Sequence, residues 1–306
     1  MDNITTIDSD KVCPANDKDK KCVPGVSFEA GSCIKINVLI EMAIAYNKEN
    51  SKSPIQLHHN YEILNPRKYK KYLLNEFNKR IGDKCTTQHC WSQQSFIKHM
   101  QNHAKQELKK FTFRPTGPEG QWEWLNTLHI NDVMNQYEDK YPDFQYLGTV
   151  PIDFDDFEKM GIVNIKYDQL IKSGKSRLGI IFNLDEHDQP GSHWVAMFSD
   201  LKKGQIYFFD SYGTRPERRI RTLMRRHATF CIESLKIPED KLDVDYNKVR
   251  HQYENSECGV YSINFILRLL RGDTFEQICK SKVHDRKINR CRNVYFSNVN
   301  IKKDSK

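Results

Sequence analysis

Two short apolar runs place the strongest constraint on the fold of this chain. The first extends from His193 to Phe198 and the second from Gln205 to Phe209, and a polar, glycine-containing stretch separates them. Two such runs on either side of a polar turn predict an antiparallel hairpin. The hairpin would bring His193, which opens the first strand, and Asp210, which closes the second, to the same end. The sequence therefore predicts an imidazole beside a carboxylate.

A cysteine stands where a polar loop gives way to an apolar helix that is predicted to begin at Cys258. The dipole and the free amides of a helix N-terminus stabilise a thiolate. Gly259, the next residue, removes side-chain bulk where a substrate backbone would approach. Cys231, Cys279 and Cys291 have no neighbouring base and glycine. Cys258 is therefore the candidate nucleophile.

Four side chains take complementary roles in chain order: His193, Asp210, Gln252 and Cys258. The carboxylate would accept a hydrogen bond from one ring nitrogen and fix the tautomer, which leaves the other nitrogen as a base for the thiol. Gln252, on the preceding loop, can combine its side-chain amide with the Cys258 backbone amide to form an oxyanion hole. A lone buried cysteine or a lone histidine at a strand end is usually structural, so the prediction depends on the ordered set.

This ordered set resembles the SUMO-type ubiquitin-like-protein proteases and the related adenovirus endopeptidase, which are cysteine proteases with the order His, Asp, Gln, Cys. The resemblance includes the spacing of these residues and the glycine after Cys258. The tryptophan at Trp124 is similar to the motif that opens their catalytic domain. The resemblance implies an α+β, papain-like cysteine protease fold of the ubiquitin-like-protease type. It also implies that Trp124 and Trp194 flank a narrow tunnel for glycines, although packing in the core is an equal alternative.

Within this clan the chain is similar to the proteases of large nucleocytoplasmic DNA viruses, which carry an N-terminal helical extension. The features behind this placement are that extension, the run 181–185 before the histidine and the run 255–259 around the cysteine. The resemblance implies an endopeptidase that cleaves a protein substrate at Gly-Gly-Xaa sites in viral structural polyproteins, in the host cytoplasm and the virion. One alternative is a deconjugating or processing protease for host SUMO or ubiquitin-like modifiers. Another is a basic virion component that binds nucleic acid.

The densest cluster of proline and glycine, residues 114–120, predicts a domain boundary. Before it, apolar spacing predicts helices from Ile36, from Asn65 and near residues 96–108, while the later sequence alternates strands and helices. The predicted organisation is a flexible leader over residues 1–28, a helical accessory subdomain over 29–113, and a catalytic domain with a basic tail over 114–306.

The basic residues are unevenly distributed. Lys and Arg number 48 against 40 Asp and Glu, which gives a net charge of +8 and only weakly favours acidic partners. Six arginines lie between Arg215 and Arg226, and eight Lys or Arg lie between Ser281 and Lys306. Such runs usually form solvated basic faces, so the sequence predicts at most weak nucleic-acid contact.

Nine cysteines without a secretion signal favour reduced thiols, a metal site or a catalytic nucleophile over a disulfide framework. Cys85 and Cys90 stand close to His89, and His103 follows, but no second ligand pair completes a zinc site. We therefore expect reduced structural cysteines there, with no metal and no cofactor. No stretch approaches the roughly 20 apolar residues that a membrane span needs, so the chain is expected to be soluble and intracellular.

Overall fold

The computed structural model describes residues 12–13, 21–58 and 65–301 of the chain. They fall into two compact units. The helical unit is Asn16–Pro115, and the sheet unit combines Met1–Ala15 with Thr116–Lys306. The division at Pro115 lies inside the proline- and glycine-rich stretch 114–120. The helical unit is thus inserted in the chain between two parts of the sheet unit.

Among its described residues, the helical unit has the α-helices α1 (Ile36–Glu49), α2 (Pro66–Ile81), α3 (Gln88–Trp91) and α4 (Asn102–Lys110). The side chain of Asn65 caps α2 by accepting from the backbone N–H groups of Arg67 and Lys68, and Pro66 occupies the first helical position. The helices predicted from Ile36 and Asn65 are confirmed.

The single helix predicted near residues 96–108 is wrong. A 3-10 helix, Ser95–His99, and α4 share this stretch. Met100 and Gln101 between them are extended, with ψ of 153° and 143°. The i, i+3 spacing of the buried residues Ile97 and Met100 suits the short 3-10 turn as well as it suits an α-helix.

The described part of the predicted flexible leader is packed. The backbone carbonyl of Val12 accepts from the side chains of Asn264 and Arg271 at 3.1 and 3.0 Å. Cys22 is buried and forms a β-bridge with Phe113. Hydrogen bonds thus hold Val12 and Cys22 in place, while the flexible character predicted for the leader as a whole stays a prediction. Residues 1–11 and 14–20 lie outside the described residues.

The sheet unit is built on five strands in the order β1 (Phe144–Pro151), β2 (Arg177–Asn183), β3 (Trp194–Asp200), β4 (Gln205–Phe209) and β5 (Asp243–Tyr246). The central pairs β2–β3 and β3–β4 are antiparallel, and the outer pairs β1–β2 and β4–β5 are parallel. The hairpin predicted from the sequence is β3–β4, in which Ala196 pairs with Phe209 and Asp200 with Gln205. The predicted α+β class is confirmed.

The helices of the sheet unit are α5 (Thr127–Lys140), α6 (Tyr167–Lys172), α7 (Arg218–Glu233), α8 (Cys258–Arg271), α9 (Phe275–Lys280), α10 (Asp285–Asn289) and α11 (Arg292–Tyr295). Alternate residues of β3 belong to two apolar clusters. Ala196 and Phe198 pack with α5 and α8, whereas Val195 and Met197 pack with α7. The sheet is therefore covered on both faces. Among the described residues, no helix combines the length and the apolar character of a membrane span.

Candidate active site

The β3–β4 hairpin brings His193 and Asp210 together at one end of the sheet. Nε2 of His193 lies 2.6 Å from Oδ1 of Asp210, and both side chains are buried. The Asp210 carboxylate also accepts from the backbone N–H groups of Tyr212 and Thr214, at 2.9 and 3.2 Å. Burial disfavours the charged carboxylate, but the hydrogen bond and charge of His193 and these further donors outweigh burial and lower the pKa of Asp210. Asp210 is therefore an ionised, fixed partner for the imidazole.

The same contacts raise the affinity of His193 for a proton. Burial alone would lower its pKa, but hydrogen bonds with Asp210 and Cys258, together with the charges of these two groups, raise the pKa to about 9. Asp210 contacts Nε2, which leaves Nδ1 of the ring for the thiol. The arrangement favours a protonated imidazole beside the Cys258 sulfur.

Cys258 is the first residue of α8 and is only 2% exposed. The first backbone hydrogen bond at this end of α8 runs from the N–H of Tyr261 to the carbonyl of Glu257, at 2.9 Å. No side chain caps this end. The N–H groups of residues 258–260 therefore have no partner within the helix and can stabilise negative charge next to the sulfur.

Gln252 is fully buried, and both ends of its side-chain amide are held. The hydroxyl of Ser211 donates to Oε1 at 2.6 Å, and Nε2 donates to the carbonyl of Glu254 at 2.6 Å. Since an amide nitrogen carries two protons, one proton of Nε2 remains for another acceptor. The orientation of the amide is thus fixed before any substrate arrives.

The two tryptophans and Gly259 occupy different environments. Trp194 is buried and its Nε1 donates to the carbonyl of Leu125 at 2.8 Å, whereas Trp124 is 48% exposed. A Cβ on Gly259 would lie 3.1 Å from Cβ of Leu125 and 3.3 Å from Cδ1 of Trp194. A side chain at Gly259 would thus crowd Leu125 and Trp194, and the role of Gly259 in making room for substrate stays a prediction. Roles for Trp124 and Trp194 in a tunnel stay predictions.

A buried ion pair that the sequence analysis missed lies directly behind the nucleophile. Nη2 of Arg292 lies 3.0 Å from Oε1 of Glu257, and both side chains are 0% exposed. The same oxygen accepts from Asn289 and Ser256 at 3.0 Å each. Arg292 also donates to the backbone carbonyl of Glu123 at 2.7 Å. These contacts fix the residue that precedes Cys258.

The basic segments are partly engaged within the protein. Arg219 forms ion pairs with Asp155 and Asp156, and Arg226 donates to the backbone carbonyls of Ile162 and Val163. The segment 215–226 supplies the first turns of the amphipathic helix α7. In the tail, Arg292 is buried, and residues 302–306 lie outside the described residues. The arginines of segment 215–226 are thus exposed or half-buried, and part of this solvated basic face is engaged by contacts within the protein.

The cysteines also differ from the expectation of reduced thiols. The structure pairs six of the nine in disulfides, with Cα atoms 5.1–5.5 Å apart, within the usual disulfide range. The pairs are Cys13–Cys291, Cys22–Cys33 and Cys85–Cys90, so the reduced state predicted for Cys85 and Cys90 is wrong. Cys231, Cys258 and Cys279 are free thiols. Within the described ranges, no group of three or more His, Cys, Asp or Glu side chains is arranged to hold a metal ion.

The raised pKa of His193 predicts how stability depends on pH. An imidazole with a pKa of about 9 in the folded state and about 6.5 in the unfolded state stabilises the fold fully below pH 6.5. This contribution is lost as pH rises from 6.5 to 9. We expect Asp210→Asn to flatten the decrease in this window, because the main group that raises the pKa is removed. Urea unfolding of both proteins at several pH values measures the effect, and parallel pH profiles would contradict it.

The chain is similar in sequence and fold to known cysteine proteases. The family model for the Ulp1 protease family, C-terminal catalytic domain, matches residues 175–295. A protein of Acanthamoeba polyphaga mimivirus described as a thiol protease is 40% identical over 276 residues, which cover 88% of this chain and 90% of the relative. A cysteine protease of African swine fever virus is 23% identical over 247 residues, 75% of this chain and 89% of the relative. A crystal structure of the protease of that virus shares the fold, with a TM-score of 0.60 and 21% identity over 74% of this chain and 90% of that chain.

Proposed function

Because the chain belongs to the Ulp1 protease family of cysteine proteases, we propose that Cys258 is its nucleophile and His193 its base, with Asp210 orienting the imidazole. One observation carries this assignment. His193 hydrogen-bonds to Asp210, the Cys258 thiol acts together with Asp210 to raise the pKa of His193, and Cys258 begins α8. A thiol, an imidazole and a carboxylate in this order form the machinery of acyl transfer.

The reaction follows from these positions. The Cys258 thiol gives its proton to Nδ1 of His193, and its sulfur attacks the carbonyl carbon of the scissile peptide bond, so that the carbonyl oxygen becomes negative. The backbone N–H of Cys258 and the remaining Nε2 proton of Gln252 stabilise this oxyanion. His193 then protonates the leaving amine, and the acyl-enzyme forms. A water molecule that gives its proton to His193 hydrolyses the acyl-enzyme, releasing a carboxylate and restoring the thiol.

Gln252→Ala tests the proposed oxyanion donor. We expect kcat to fall by about 10²- to 10³-fold with a smaller change in KM, because one hydrogen bond made mainly in the transition state is lost. Gln252→Glu keeps the shape and the bond to Ser211 but removes the amide donor, so it serves as the matched variant. Steady-state kinetics on one peptide measure both. An unchanged kcat in both variants would show that Gln252 does not contact the oxyanion.

For the substrate we propose cleavage after Gly-Gly in viral structural polyproteins, in the host cytoplasm and the virion. The burial of Cys258 and His193, 2% and 8% exposed, supports glycines beside the scissile bond, because a substrate residue with a bulky side chain could not bring its carbonyl to the sulfur. The similar proteins come from viruses, which supports a viral substrate. The alternative substrate, a precursor of a SUMO-like modifier, rests on the Ulp1 family membership.

The test compares peptides of the form Gly-Gly-Xaa and Ala-Ala-Xaa with folded SUMO and ubiquitin precursors. Rapid cleavage after Gly-Gly with no cleavage after Ala-Ala is the expected result. Efficient maturation of a modifier precursor, together with slow cleavage of all short peptides, would favour the alternative. Failure to cleave any glycine-containing substrate would contradict the proposed specificity.

A further inference from the structure

A ladder of aromatic and cationic side chains runs outward from the imidazole of His193. The Tyr212 ring stacks on His193, with centroids 4.5 Å apart and planes 14° apart. The guanidinium carbon of Arg250 lies 5.2 Å from the Tyr212 ring centroid and 4.8 Å from that of Tyr253. Nζ of Lys282 lies 4.2 Å from the Tyr253 ring centroid and donates to its hydroxyl at 2.7 Å. We call Tyr212, Arg250, Tyr253 and Lys282 the cationic ladder.

The two cations of the ladder have no acidic partner in the part of the chain that the structure describes. Arg250 is exposed, Lys282 is half-buried and Tyr253 is 54% exposed. The nearby carboxylate of Asp285 accepts instead from the backbone N–H groups of Tyr253 and Glu254, at 2.8 and 3.1 Å. Contact with aromatic rings restricts both cations. The ladder therefore presents two positive charges, held in place and not neutralised.

The role proposed for His193 fixes which part of a substrate meets the ladder. Because the imidazole protonates the leaving amine, the chain after the scissile bond departs beside His193. Tyr212 contacts the imidazole, and Arg250 lies one ring further out. An extended peptide advances about 3.3 Å per residue, so the side chains roughly two to four residues after the scissile bond can reach Arg250 and Lys282.

We propose that the cationic ladder is a subsite for Asp or Glu side chains on the C-terminal side of the scissile bond. This inference rests on the proposed function, because it takes His193 as the acid of the reaction. An exposed guanidinium binds a carboxylate through two parallel hydrogen bonds, and the Lys282 ammonium adds a second charge. An acidic peptide fits better than a nucleic acid, because both cations contact the Tyr253 ring and reduce the aromatic surface on which a base could stack.

The first experiment measures kcat/KM for peptides that share Gly-Gly before the scissile bond and carry Glu, Gln or Lys at the second to fourth positions after it. We expect the Glu peptide to be preferred over the Gln peptide by about two- to fivefold per paired charge, with the Lys peptide slowest. Raising the ionic strength from about 0.1 M to about 1 M should reduce the preference. Equal cleavage of the Glu and Gln peptides by the wild-type protein would overturn the proposal.

Lys282→Gln and Lys172→Gln separate a local effect from one of net charge. Lys172 is exposed at the end of α6 and precedes β2, whose first residue Arg177 pairs with Asp200, at the end of β3 away from His193. We expect Lys282→Gln to lower the ratio of Glu to Gln cleavage by about two- to fivefold and Lys172→Gln to leave the ratio unchanged. A ratio unaffected by Lys282→Gln, or reduced equally by both variants, would contradict the subsite. Lys282 is substituted instead of Arg250 because Arg250 also donates to the carbonyl of Gln252, at 2.8 Å. A substitution of Arg250 would therefore change the turnover of every peptide, whatever its charge.

The second experiment does not depend on cleavage. Labelled fragments that begin at the residue after the scissile bond and carry three Glu or three Gln are bound to Cys258→Ala protein, with and without Lys282→Gln, and anisotropy is measured. Tighter binding of the Glu fragment that depends on Lys282 supports the subsite even if no Gly-Gly peptide is cleaved. The absence of cleavage would then overturn only the Gly-Gly specificity. Equal binding of both fragments overturns the subsite. Tighter, Lys282-dependent binding of a single-stranded oligonucleotide would overturn the assignment to an acidic peptide.

Discussion

Cys258→Ala protein is expected to be folded and without turnover. The substitution removes the atom that would form the acyl-enzyme, and loss of a nucleophile that acts with its base lowers kcat by at least about 10⁴-fold. Alanine is the most favourable residue for a helix, so the start of α8 should form normally. Peptide cleavage and thermal unfolding monitored by circular dichroism measure the two effects separately.

The free thiol of Cys279 provides the matched control. Cys279 lies in α9, where burial is the main cause that raises the pKa of its thiol to about 12. The thiol is therefore protonated and unreactive at neutral pH, and Cys279→Ala is expected to retain turnover. Full activity of Cys258→Ala protein, or loss of activity only in Cys279→Ala protein, would remove the assignment of Cys258 as nucleophile.

Arg292→Met is expected to destabilise the sheet unit by about 3–5 kcal/mol. The substitution leaves the carboxylate of Glu257 buried without its cation, although Asn289 and Ser256 still donate to it. The backbone carbonyl of Glu123 also loses its donor. Urea unfolding measures the loss in the free energy of unfolding. Activity should fall at temperatures where the variant is still folded, because Glu257 immediately precedes Cys258.

The double variant Glu257→Gln with Arg292→Met tests the reason for this loss. Removing both charges abolishes the uncompensated carboxylate, so part of the stability should return. If the loss in the free energy of unfolding of the double variant equals the sum of the losses in the two single variants, packing rather than charge causes the destabilisation. If the free energy of unfolding of Arg292→Met protein lies within about 0.5 kcal/mol of the wild-type value, the ion pair has no structural role.

Local patterns explain which parts of the site were predictable. His193 and Asp210 come together because the two apolar runs around a polar turn could pair in only one simple way, and the structure has that hairpin. Cys258 was identified from its place at the start of an apolar helix, which is also where the structure has it. Both predictions use residues that are close in sequence, where spacing determines geometry.

Contacts between distant residues could not be predicted in the same way. Glu257 and Arg292 are 35 residues apart, and each taken alone is a charged residue that usually faces solvent. The strand β1 was missed because Gly148 and Pro151 weaken the strand pattern, although its parallel pairing with β2 stabilises it. The ion pair and the pairing of β1 with β2 can be seen only in the folded structure.

The disulfide between Cys13 and Cys291 imposes an order on the formation of the molecule. Its two cysteines are separated by 278 positions, and the whole helical unit lies between them. A ribosome completes residues 16–115 long before it adds Cys291, so the helical unit can fold while the rest is still being made. Val12 and Cys13 can form their contacts only after α8 and Cys291 have been synthesised. This crosslink can therefore form only after the helical unit has been made and Cys291 has been added, and the oxidant present at that time decides whether Cys13 is joined to the rest of the sheet unit.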